Sequence, residues 1–241
     1  MRSVLIYSGG LDSTVLLYSL LEQQHEVKTL CIDYGQRHRK EIEYAQAIAH
    51  KLGVSFTIAD LRAIQSLLNN SSLTSVTQPV PEGHYTESSM KSTVVPNRNM
   101  LMLALATAHA IAERYDQVAY AAHAGDHTIY PDCRPEFATA METAIGLADW
   151  HKVGLYRPFI NLTKADLVTL GERLGVPFAQ TWSCYQGNTV HCGRCGTCVE
   201  RREAFHLANV ADPTEYANNA FPIDFMLNRT KTSAELKKIQ P

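Results

Sequence analysis

The chain has no surplus of positive charge, no apolar run long enough to cross a bilayer and no lysine-bearing phosphate loop. Its 22 Lys and Arg face 24 Asp and Glu, a formal net charge of −2, which leaves nothing in excess to neutralise a nucleic-acid backbone. Direct RNA or DNA binding is therefore not expected, and a small molecule is the better-matched partner. No segment keeps the ~18 consecutive apolar residues of a spanning helix. The early apolar run stops at Gly9 and Gly10 before it forms a secretory leader. The expectation is a cytoplasmic protein with no membrane attachment. Internal repeats and low-complexity tracts are absent too, so a chain of 241 residues is expected to bury one main core and carry an appendage.

What is present alternates. "SVLIYS" (Ser3 to Ser8), "VKTLCIDY" (Val27 to Tyr34), "SFTIADL" (from Ser55) and "QVAYAAH" (Gln117 to His123) read as strands. Helical periods run from Asp12 to about Gln24, His38 to Leu52, Asn97 to Arg114 and Pro135 to about Trp150. This alternation predicts an α/β fold, a doubly wound parallel sheet with crossover helices. Thr163 followed three residues later by Asp166 marks a capping-box helix start, with the helix ending at Gly175. Residues 69–94, rich in Ser, Thr and Pro without a period, read as a mobile surface excursion, either a lid or slack. The stretch after about Phe221 is polar and basic, to be ordered only by contact with something else.

The turn "SGGLDS" falls where the first strand of a parallel sheet hands over to its helix, the edge at which ligands bind. Gly9 and Gly10 let the backbone close around an anion. Ser8, Ser13 and Thr14 bring hydroxyls, and the first helical turn brings free N–H groups. Asp12 would repel a bare phosphate, which makes sense if Mg²⁺ bridges it to a nucleotide. The competing reading is a tight turn in which Asp12 or Ser8 merely caps the helix. Neither the lysine-bearing phosphate loop nor the G-x-G-x-x-G fingerprint is matched. "SGGLDS" after a first strand resembles the pyrophosphatase loop of the ATP-pyrophosphatase superfamily. The resemblance implies an adenine nucleotide α-hydrolase-like fold, with ATP bound by Ser8, Gly9, Gly10, Leu11, Asp12, Ser13 and Thr14 and cleaved between its α and β phosphates.

Four of the six cysteines, Cys184, Cys192, Cys195 and Cys198, follow the spacing C-x7-C-x2-C-x2-C. Two overlapping short turns and one remote thiol suit a closed, structural metal site. Zinc is the expected ion, with a four-iron cluster the alternative. His191 competes for the fourth ligand position, but it adjoins Cys192 and its side chain diverges. Zinc there is expected to contribute on the order of 10 kcal/mol to local folding. Cys31 reads as a small buried thiol.

Arg98 opens an apolar helix, where a cation opposes the helix dipole. It is more useful as a planar fork for phosphate or carboxylate, although an exposed arginine without partner is the competing reading. The methionines of that helix, Met100 and Met102, read as buried core. Asp126 lies at the ligand edge after the fourth strand, Asp132 reads as a helix cap, and Cys133 lacks the paired histidine of a nucleophile. "RHRK" (Arg37 to Lys40) reads as a solvated face or a second phosphate contact.

Together "SGGLDS", "DYGQRH", "VPNRN", "YPDCRPEF", "LTKAD", "TWSCYQG" and "HCGRCGTCVERREAF" resemble the nitrile-forming family of the queuosine pathway, over Leu5 to about Asn209. The resemblance implies an ATP-dependent ligase acting on 7-carboxy-7-deazaguanine and ammonia. It makes Asp12, Arg98 and Asp126 the catalytic candidates, Mg²⁺ the partner of ATP and zinc the structural ion. The expected organisation is a nucleotide-binding α/β domain over 1–175 and a zinc-binding subdomain with tail over 176–241, assembled as a homodimer. The rivals are an amide-forming or tRNA-thiolating relative and a non-catalytic zinc module.

Overall fold

The computed structural model describes residues 1–85, 88–186 and 189–227. Five strands, β1 (Arg2–Ile6), β2 (Glu26–Asp33), β3 (Ser55–Asp60), β4 (Gln117–Ala119) and β5 (Gly154–Tyr156), form one sheet in the order β3-β2-β1-β4-β5. Every pairing is parallel. The helices are α1 (Leu11–Glu22), α2 (Lys40–Lys51), α3 (Arg98–Ala112), α4 (Pro135–Leu147), α5 (Lys164–Arg173), α6 (Gly196–Leu207) and the short α7 (Ile223–Leu227).

Because side chains alternate along a strand, the central strands feed two cores. Val4 and Val118 pack in one with residues of α3 and α4. Their neighbours Leu5 and Ala119 pack in the other with residues of α1, α2 and α5. Helices thus cover both faces, as the alternation predicts. The chain runs outward from β1 to β3 and returns beside β1 as β4, so the loops after β1 and β4 border the crevice where strand order reverses.

Local signals explain most helices. On α2, Ile42, Ala45, Ile48 and Ala49 recur at three- and four-residue spacing and are buried. Both bonds of the Thr163–Asp166 capping box are present at the start of α5, and Gly175 follows the helix with φ +68°.

Several expectations are corrected. The fourth strand stops at Ala119, because the next residues turn away to open the crevice; only Tyr120 N–H still reaches the Tyr156 carbonyl, at 3.1 Å. On α3 neither methionine is buried core: Met100 is exposed and Met102 borders the crevice. Part of 69–94 is built into the fold, although Val76 stays exposed. Leu73, Tyr85 and Met90 lie in the main core, and Arg37 fastens the segment by donating to the carbonyls of Ser72, Ser75 and Gln78. Within "RHRK" His38 is buried, whereas Arg39 stays solvated while pairing with Asp33 at 2.8 Å. Of the tail after Phe221, α7 buries Phe225 and Met226 against Val199 of α6, while residues 228–241 lie outside the described residues.

Candidate active site

One cleft lies over the carboxyl ends of β1, β2 and β4. The glycine turn lines it through Ser8, Gly10, Leu11, Asp12 and Ser13, and Arg98 and Asp126 line it too. Three stretches far apart in sequence therefore meet in one place.

Within the turn the residues divide. Gly10 ends the turn as the residue before α1, and that helix begins without a side-chain cap. Its first amides are thereby left for a ligand. The Ser8 and Ser13 hydroxyls lie 3.2 Å apart. Thr14 is instead buried, its hydroxyl donating to the Gly10 carbonyl at 2.8 Å, and it does not line the cleft. Gly9, at φ +78°, has no room for a side chain: a Cβ would stand 2.6 Å from the Ala45 nitrogen and the Glu41 carbonyl oxygen. Its missing side chain serves the packing of α2.

Asp12 lies beside a lysine that the sequence reading did not single out. Lys164 Nζ is 3.3 Å from Asp12 Oδ2 and 2.7 Å from Glu200 Oε2. Burial works against the Lys164 charge, but Asp12, Glu200 and Asp126 hold it well above its usual range. The other Asp12 oxygen, Oδ1, is buried without a hydrogen-bond partner. Asp12 itself lines the cleft, and a carboxylate oxygen without a partner suits a hard cation such as Mg²⁺. His123 Nε2 stands 3.8 Å from Asp12 Oδ2 and 3.7 Å from Asp126 Oδ2. Burial pushes the Asp126 carboxyl up, yet the charges of His123 and Lys164 and the Tyr85 hydroxyl leave it below the usual range.

Lys164 carried a usable signal. It is the first residue of α5, and a cation there opposes the helix dipole as Arg98 does on α3. Glu200 carried none, because only the fold brings α6 against α5.

A tyrosine wall, Tyr34, Tyr85, Tyr130 and Tyr185, also lines the cleft. Arg98 Cζ lies 5.9 Å from the Tyr130 ring centre. Burial disfavours its charge, but Tyr34, Tyr185, Tyr130 and Cys133 hold it well above the usual range. No carboxylate pairs with it among the described residues. Asn97, in the left-handed region at φ 56°, precedes it. Asp132 caps α3 rather than α4, accepting the Asn99 N–H at 3.0 Å. Cys133 accepts from Asn99 Nδ2 at 3.2 Å, and burial keeps it a protonated thiol, unlike an activated nucleophile. Cys31 is buried, its thiol pushed up to about 12, chiefly by that burial.

The four sulfurs of Cys184, Cys192, Cys195 and Cys198 lie within 4.8 Å of one another, all buried. Backbone N–H groups of Cys192, Arg194 and Cys195 point at them, at 3.4, 3.4 and 3.2 Å. Such donors stabilise thiolates, and the donor set fits a soft or borderline metal ion. His191 is not part of it; its Nε2 accepts the Ser183 N–H at 3.1 Å. A helix that the cysteine spacing does not predict, α6, starts between the third and fourth cysteines.

A doubly wound α/β sheet with a glycine turn at its switch point, joined to a four-cysteine metal-binding cluster, defines the class. The chain belongs to the family described as queuosine biosynthesis protein QueC, whose model matches residues 2–209. The 7-cyano-7-deazaguanine synthase of Rhizobium meliloti (strain 1021) is 53% identical over 223 residues, covering 92% of this chain and 94% of its own. The protein of the same name from Methanoregula boonei is 52% identical over 216 residues, covering 90% and 99%. Among solved structures, the U34-tRNA thiolase NcsA from Methanococcus maripaludis with its [4Fe-4S] cluster is 14% identical with a TM-score of 0.47, over 96% of this chain and 82% of that one.

Proposed function

We propose that this chain is an ATP-dependent ligase that converts 7-carboxy-7-deazaguanine and ammonia to 7-cyano-7-deazaguanine. The observation that carries this reading is the single cleft in which the glycine turn, Arg98 and Asp126 meet. The family and its synthases support it.

In this reading the uncapped first turn of α1, Ser8 and Ser13 receive the phosphates. Mg²⁺, when bound at Asp12, supplies neutralisation of phosphate charge. Lys164 adds fixed positive charge beside the leaving pyrophosphate. The planar heterocycle lies against the tyrosine wall, its carboxylate facing the fork of Arg98. A carboxylate oxygen attacks the α-phosphorus and pyrophosphate departs. Ammonia then adds to the acyl carbon and AMP leaves, giving the amide. The amide oxygen attacks a second ATP in the same way, and loss of AMP with the remaining nitrogen protons leaves the nitrile. Asp126, ionised and fixed by the Tyr85 hydroxyl, is the candidate to accept protons from the attacking nitrogen.

The four cysteines hold zinc in this reading, as a structural ion. The division near residue 175 separates a nucleotide-binding part from a zinc-binding part, and the protein acts as a cytoplasmic homodimer without direct contact with nucleic acid. Incubation with ATP, Mg²⁺, ammonia and the free heterocyclic acid, followed by mass spectrometry, tests the function. Nitrile is the expected product, and absence of turnover would remove the reading.

A further inference from the structure

Two lines of contact join the cysteine cluster to the glycine turn. The first runs through Trp182, two residues before Cys184. Its backbone N–H donates to the Gly9 carbonyl at 3.0 Å, and its indole N–H donates to the Cys184 carbonyl at 3.0 Å. The ring is 2% exposed, packed against His191 at 4.4 Å between centroids. The second runs through Glu200, two residues after Cys198 on α6. Its carboxylate holds Lys164, and Lys164 faces Asp12.

Lys164 is shared between two carboxylates, and Glu200 is the nearer, at 2.7 Å against 3.3 Å for Asp12. Were Glu200 displaced or exchanged for an uncharged side chain, the buried ammonium would turn fully onto Asp12 and neutralise the carboxylate meant for a cation. Arg201, on the same helix, donates to the Thr181 and Ser183 hydroxyls at 2.8 and 3.1 Å. The start of α6 and the segment carrying Trp182 are therefore fastened to each other, and both carry cysteines of the cluster.

We propose that the metal cluster and the nucleotide turn are energetically coupled, with Glu200 and Trp182 as positioning residues. This rests on the reading that the turn takes Mg·ATP and the cysteines take zinc. An ordered cluster keeps Lys164 off Asp12 and the Gly9 carbonyl in place. Nucleotide on the turn in return holds the cluster closed, since linkage is reciprocal.

The test uses the full, zinc-loaded chain without the acid substrate. Release of zinc to excess 4-(2-pyridylazo)resorcinol is timed with and without Mg·ATP, and Mg·ATP affinity is measured by calorimetry on the same protein. Mg·ATP is expected to slow release at least about fivefold, the low end of typical couplings. Glu200→Gln is expected to keep its zinc, to show less than about twofold slowing, and to bind Mg·ATP more weakly. Wild-type protein that binds both ligands yet releases zinc at one rate overturns the coupling and leaves the functional reading intact. Glu200→Gln with undiminished slowing overturns the part given to Glu200. Failure to bind Mg·ATP or zinc overturns the functional reading beneath both. If the variant does not fold, the wild-type comparison decides.

Discussion

Asn99 donates twice to Asp132: its backbone N–H reaches Asp132 Oδ2 at 3.0 Å and its side-chain amide reaches the Asp132 carbonyl at 3.2 Å. The pair fixes the first turn of α3 against the loop before α4. Arg98, one residue earlier, is thereby held on a rigid base.

Arg98→Lys exchanges that fork for a point charge. With the acid as substrate, kcat/KM is expected to fall about 10- to 100-fold, corresponding to about 1.5–3 kcal/mol for a hydrogen bond to a charged group. With the neutral amide supplied directly, the fall should be much smaller. Equal losses on both substrates would show that Arg98 does not read the carboxylate.

Asp12→Asn is expected to lower Mg²⁺-dependent ATP cleavage by about 10²–10³-fold, the scale of losing a preorganised electrostatic group. Lys164 keeps Glu200 as a partner, so thermal melting should move by no more than a few degrees. Normal turnover at normal stability would exclude the role.

Cys195→Ser should lose metal and soluble protein together, because a hydroxyl is a weak zinc ligand. Metal analysis of the unaltered chain is expected to give about one zinc per chain in colourless protein. Brown protein with labile sulfide would indicate an iron–sulfur cluster.

Glu41 lines the cleft, and burial, outweighing the Gln36 hydrogen bond and the Arg98 charge, raises its carboxyl from 4.5 to about 7. Between those values the folded chain holds a proton that the unfolded chain has released. Glu41 therefore makes stability fall as pH rises from about 4.5 to about 7, with no further change above. Glu41→Gln keeps the shape and removes the titration, so the variant should gain stability relative to wild type across that window. Denaturant midpoints from pH 5 to 8 measure it, and a constant gap would refute the raised value.

The reaction stoichiometry follows from leaving-group chemistry. Amide oxygen departs no more readily than acid oxygen, so two ATP per nitrile are expected, with AMP and pyrophosphate as products and the amide as intermediate. Added directly, the amide should react with one ATP and no ammonia. ADP as main product would refute attack at the α-phosphate. Amide as the end product would favour a simple amide-forming enzyme.

Features set by neighbours in sequence were legible: the glycine turn, the capping box at Thr163 and the cysteine spacing all stand where their residues predict. Features set by distant contacts were not. Strand β5 is three residues long and exists because β4 offers it an edge. Segment 69–94 has no period, yet its scattered Leu73, Tyr85 and Met90 fill the core one at a time. Lys164 and Glu200 meet across 36 residues of chain, a separation that no local pattern records.

Gly9 bears on how other chains of this fold should be read. A side chain there would collide with the backbone of α2 before any ligand arrived, so a descendant that had abandoned the reaction while keeping its architecture would still be confined to glycine at this position. Asp12 and Arg98 meet no such backbone constraint, and in that descendant they would be free to drift. Across divergent sequences the glycine thus reports ancestry of shape, and the carboxylate and guanidinium report whether the chemistry survives.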